Sequence, residues 1–78
     1  MNPVYSKQAL KAINNMDVAT KQRIKKGIEN IPNGDIRPLR GYTDGRQRLR
    51  IGKYRVIFIV KGEDLHIIDI GSRGDIYN

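Results

Sequence analysis

The sequence of 78 residues has no cysteine and no tryptophan, and only one histidine and one phenylalanine. Without cysteine there can be no disulfide scaffold, no zinc ribbon and no thiol nucleophile. A single histidine, His66, excludes any mechanism that needs two imidazoles in one chain. No apolar run approaches the ~20 residues that span a bilayer, and no early segment has the apolar heart of a signal peptide. The expectation is therefore a cytoplasmic chain with no membrane partner. Acidic residues are also scarce: eight Asp and Glu stand against fifteen Lys and Arg, for a formal net charge of +7. Such an imbalance favours a polyanionic partner. It does not imply disorder, because the 38% hydrophobic content falls in patterned runs. At this length one small core is all the chain can build, so residues 1–78 are read as a single domain.

The pattern divides into a helical half and a strand half. After a short extended Pro3-Val4-Tyr5, Ser6 is placed to cap a first helix over about 6–16, in which Ala9, Leu10, Ile13 and Met16 recur at helical spacing. Asp17 is placed to cap a second helix over about 18–31, with Ile24, Ile28 and Ile31 inward and Lys21, Arg23, Lys25 and Lys26 mostly outward. Pro32 and Asn33-Gly34 stop it. Gly27, inside this helix, costs about 1 kcal/mol relative to Ala and so implies close packing there. Strands are expected over Arg46–Ile51, Tyr54–Val60 and Leu65–Ile70, joined by Gly52-Lys53 and by Lys61-Gly62-Glu63-Asp64. The fold class is α+β: an N-terminal helical hairpin packed on a small antiparallel sheet, in the order β-α-α-β-β-β.

Seven basic residues crowd between positions 37 and 55: Arg37, Arg40, Arg46, Arg48, Arg50, Lys53 and Arg55, with Asp44 the one acid among them. Arg46, Arg48 and Arg50 alternate, so a strand projects all three from one face while Leu49 and Ile51 turn toward the helices. Arg55, just past the turn, can close onto that row. A charged face on an antiparallel sheet is ordinary, but a structural one mixes its signs, because opposed like charges destabilise. Guanidiniums also offer two parallel donors that match phosphate. Arg40, Arg46, Arg50 and Lys53 therefore read as RNA-binding. Arg73 follows the last strand and can return to the same face, and Tyr77 lies where no core position is expected and where a ring can stack on an unpaired base. His66 is read as half-buried and structural, in phase with Ile68 and Ile70, and Asp69 is placed to pair with an arginine and orient it. No ligand set for a metal is present, and no cofactor is expected.

Gly41-x-x-x-Gly45, the run from Arg46 to Phe58, the upstream Gly34–Gly41 and the late Ile70-Gly71-Ser72-Arg73-Gly74-Asp75-Ile76-Tyr77 together resemble the RelE branch of the RelE/ParE toxin superfamily, over nearly the whole chain. The resemblance implies a RelE-like fold and a type II toxin that enters the ribosomal A site, cleaves mRNA and is neutralised by a cognate antitoxin. The implied reaction is metal-free: a ribose 2′-hydroxyl attacks the adjacent phosphate to leave a 2′,3′-cyclic phosphate and a 5′-hydroxyl. By position, Arg46 and Arg48 stand where known members carry lysines, Arg50 and Arg55 match arginines of the motif, Arg55 being the phosphate clamp, Arg73 matches a late-strand arginine and Tyr77 the stacking tyrosine. Arg48, Arg55, Arg73 and Tyr77 are thus the implied catalytic set. A guanidinium keeps its proton at neutral pH, so arginine at 48 offers almost no neutral base, which shifts the chemistry toward electrostatic stabilisation of the transition state. Two alternatives carry other expectations: a ParE-like toxin that poisons DNA gyrase, and a catalytically inactive module that binds RNA or antitoxin. The net positive charge makes an acidic, partly disordered antitoxin the expected protein partner.

Overall fold

Ser6 and Asp17 open the two helices as their residue types require. In the computed structural model, which describes residues 1–72, Ser6 Oγ accepts from the Ala9 amide at 3.0 Å and donates to the Ile68 carbonyl at 2.6 Å, so one hydroxyl caps a helix and ties it to the sheet. Asp17 accepts from the Thr20 amide at 3.2 Å. The elements run β1 (Asn2–Tyr5), α1 (Lys7–Asn14), α2 (Val18–Glu29), β2 (Asp35–Pro38), β3 (Gln47–Ile51), β4 (Tyr54–Lys61) and β5 (Asp64–Ser72). Both helices end two residues before their apolar pattern does. Met16 and Ile31 donate to the carbonyls of Ile13 and Ile28, three residues back, so a tight last turn still aims them at the sheet.

The α+β class is as expected, and the sheet carries more than the sequence shows. Its order is β1-β5-β4-β3-β2. β2, which reads in the sequence as a connection, pairs antiparallel with β3, from Asp35 opposite Arg50 to Pro38 opposite Gln47. It escapes notice because it is four residues long, holds one large aliphatic residue and ends in a proline, which an edge strand tolerates. β1 lies parallel to β5, with Asn2 opposite Asp64 and Tyr5 opposite Ile67, so the sheet is mixed rather than wholly antiparallel.

One face of the sheet is covered by the helices. Ala9 and Ile13 of α1 and Ile24 and Ile28 of α2 meet Leu49, Val56, Phe58, Leu65, Ile67 and Ile70 in a single core. Leu10, expected inward, is 46% exposed, because α1 turns only the Ala9–Ile13 stripe to the sheet. A register shift lies where Ile57 faces Asp69 but Phe58 faces Ile67, which leaves Ile68 as the extra residue. Leu65 and Ile67 reach the core before this bulge, and Ile70 reaches it after. His66 is therefore half-buried on the outer side opposite Ile59, out of phase with Ile70, which corrects the simple alternation read from the sequence.

Gly27 packs as its cost implied: a Cβ there would lie 2.5 Å from Ile51 Cδ1. Gly27→Ala should destabilise the protein. In an Ile51→Ala background the same change should stabilise by up to about 1 kcal/mol, the ordinary Gly-to-Ala helix gain. Chemical denaturation of the four proteins checks this sign reversal.

Candidate nucleic-acid interface

Strand register decides where the arginines go. Leu49 faces Val56 on the helix side, so their neighbours Arg48, Arg50, Arg55 and Ile57 face outward. Arg50 stands directly opposite Arg55, and Arg48 directly opposite Ile57 on one side and Arg37 on the other. The hairpin that fixes this register turns through Gly52 and Lys53, with Gly52 at φ +58°, a value that suits glycine at the first position of a two-residue turn. Arg50, Gly52, Lys53 and Arg55, the last only 9% exposed, line a cleft of about 260 Å³ whose charged side chains among the described residues are cations. Nζ of Lys53 also lies 5.5 Å from the Tyr54 ring centroid.

Arg48 and Arg46 lie against carboxylates. Arg48, only 8% exposed, has its Nη2 3.6 Å from Asp35 Oδ1, and the same oxygen lies 3.9 Å from Arg37 Nε. Arg46 closes onto Asp44: Nη2 donates to Oδ2 at 2.7 Å and Nε to Oδ1 at 3.1 Å, with the guanidinium carbon 4.2 Å from the Tyr42 ring centroid. The cluster is thus not free of interleaved acids. Asp35 lies just outside the stretch from Arg37 to Arg55 and enters through the pairing of β2 with β3, which the sequence does not announce. Arg40 is exposed on the connection between β2 and β3. Asp69 forms no ion pair among the described residues; its Oδ1 accepts from the amide of Ile70 at 2.9 Å. Arg73 and Tyr77 lie outside the described residues.

Sequence reasoning missed Tyr42 and Asp35. The Asp44-x-Arg46 spacing was a usable signal for an ion pair, and Tyr42 two residues earlier for a ring beneath it. Among the described residues no group of three or more His, Asp or Glu is placed to hold a metal, and no helix is long and apolar enough to cross a membrane.

The hydrogen bonds from Arg46 hold the Asp44 carboxyl below its usual value near 3.8, and Asp44 in turn raises the Arg46 guanidinium. A depressed carboxyl pKa stabilises the fold fully above the unfolded value and loses that contribution as pH falls through the folded one. An NMR titration should show Asp44 titrating low in the native protein and returning toward 3.8 in Arg46→Ala.

The family model described as "ParE toxin of type II toxin-antitoxin system, parDE" matches residues 4–77. In three dimensions the chain is similar to the RelB–RelE antitoxin–toxin complex from Methanococcus jannaschii (26% identity over 95% of this chain and 94% of that chain, TM-score 0.76). It is similar also to the RelE–RelB complex from Pyrococcus horikoshii OT3 (27%, 95% and 96%, TM-score 0.73). The YoeB/ParE toxin from Agrobacterium tumefaciens shares the fold (21%, 94% and 99%, TM-score 0.77). No curated protein matches the sequence.

Proposed function

This chain belongs to the ParE toxin family of type II toxin–antitoxin systems, and from that premise we propose that it is a ribosome-dependent mRNA endoribonuclease. The observation that carries the reading is the convergence of Arg50, Lys53 and Arg55 on one cleft, set on the face that the helices leave uncovered. Two guanidiniums and an ammonium around one cleft suit a phosphodiester whose charge grows during reaction. The proposed step forms a bond from the 2′-oxygen to phosphorus and breaks the bond to the 5′-oxygen. The 2′-hydroxyl proton leaves to solvent and the 5′-oxygen takes one up, giving a 2′,3′-cyclic phosphate and a 5′-hydroxyl. Arg55 and Arg48 stabilise the extra negative charge, while Arg50 and Lys53 hold the flanking backbone. Arg73 and Tyr77 complete the proposed set from the C-terminal segment.

Arginine supplies no base at neutral pH, so the rate enhancement rests on charge stabilisation and on alignment of the attacking oxygen by the ribosome. An acidic antitoxin is the proposed protein partner. The net charge of +7 and the likeness to two antitoxin–toxin complexes support it.

Induction of the protein followed by primer extension on translated mRNA tests the reading. Cuts within codons are expected, reduced about a hundredfold or more in Arg55→Ala, the scale for losing one donor to a transition-state charge. A thermal melt of the variant separates lost chemistry from lost fold. Growth arrest with intact mRNA, together with inhibited supercoiling by purified gyrase, would replace this reading with the gyrase one.

A further inference from the structure

Beside the cationic cleft the outer face holds a second hollow, of about 230 Å³, whose chemistry differs. Its apolar surface includes Ile57 and Ile68, and its polar and aromatic lining includes Gln8, Tyr42, Arg46 and Asp69. Ile57 is 4% exposed yet stands apart from the core beneath the helices, so this hollow has an apolar floor of its own. It is smaller than the roughly 300–1,000 Å³ that drug-sized ligands occupy.

Arg46 is the informative side chain. Its charge is spent on Asp44 through Nε and Nη2, and its guanidinium carbon lies over the Tyr42 ring. A neutralised guanidinium stacked on a phenol is poorly suited to clamp phosphate. It is well suited to be a platform, because guanidinium planes and aromatic rings are what unpaired bases stack on. Asp69 adds a hydrogen-bonding edge. Oδ1 is held by the Ile70 amide, which fixes the carboxylate, and Oδ2 accepts no hydrogen bond from the described residues. A fixed carboxylate can accept from two adjacent donors at once, and among the RNA bases guanine presents such a pair, N1–H and the 2-amino group, on its Watson–Crick edge.

We infer that this hollow is a nucleobase pocket that selects guanine, with Tyr42 and Arg46 as the stacking platform and Asp69 as the specificity-determining residue. It rests on the RNA-cleaving reading above and deepens it, because a base in this hollow lies next to the row of arginines proposed to hold the backbone. Gln8 supplies an amide donor to the edge of the hollow, where the guanine 6-oxygen can accept.

The test uses the purified full-length chain and the four ribonucleoside 5′-monophosphates, followed by NMR. GMP is expected to bind about tenfold more tightly than AMP, CMP or UMP and to shift the amides of Gln8, Tyr42 and Asp69, the scale of one bidentate base contact. Asp69→Asn should abolish the preference with the fold intact, and Tyr42→Ala should weaken all four nucleotides. Equal affinities, or shifts confined to Arg50, Lys53 and Arg55, would overturn the pocket. The two readings fail separately. GMP selectivity without mRNA cleavage on induction would sink the nuclease and leave the pocket. Cleavage whose positions are unchanged in Asp69→Asn would sink the pocket and leave the nuclease.

Discussion

Everything functional in this protein depends on how β3 is registered against β4. Leu49 opposite Val56 joins the core, and the same pairing sets Arg50 opposite Arg55 on the outer face. Because side chains alternate with a period of two, a slip of one residue would bury the guanidiniums beneath the helices and expose the leucine. Burying the exposed Arg50 in the apolar core, and exposing Leu49, would both carry penalties that favour the observed register. Gly52 pins it at the hairpin turn with its φ of +58°. A side chain there would meet Arg23 of α2, with Nη2 2.7 Å from an added Cβ. The helix layer and the hairpin thus share one contact point, and the close approach of Gly27 to Ile51 is another.

From that register the basic residues separate into kinds that a count of charges merges. Arg46 is closed onto Asp44 and stacked on Tyr42, and Arg48 is buried beside Asp35. These two shape the surface as much as they charge it. Arg50 and Lys53 are exposed, and with the buried Arg55 they form a cleft whose charged groups among the described residues are cations. Across a sheet such an arrangement costs stability unless an anion or solvent intervenes. The proposed binding partners are polyanions: RNA at the cleft, an acidic antitoxin elsewhere on the chain.

Much of this was legible in the residues. Ser6 and Asp17 announced their helices through capping chemistry, Gly27 announced close packing, and the alternation from Arg46 to Ile51 gave the outward face of β3. The superfamily was legible too, from the runs at 41–58 and 70–77. What was hidden depends on contacts between distant parts of the chain. β2 has too little apolar pattern to read as a strand, so Asp35 could not be foreseen beside Arg48. The bulge at Ile68 breaks the period of β5 with no glycine or proline to mark it, so Ile70 was assigned to the face of His66. The helical hairpin carries the chain from β1 at one edge of the sheet to β2 at the other, and the parallel pairing of β1 with β5, far apart in the sequence, is one that no local signal encodes.

The most direct test of the account is where single-stranded RNA lands. A short oligonucleotide with 2′-deoxy sugars, unable to cleave, can be titrated into the labelled protein while the side-chain Nε–H signals of Arg50 and Arg55 and the amides of Gly52 and Lys53 are followed. The account predicts that these signals move together and that affinity falls with salt, with a log–log slope of about −0.7 per phosphate engaged. Shifts confined to the basic exterior of α2, from Lys21 to Lys26, with the β3–β4 hairpin silent, would contradict it.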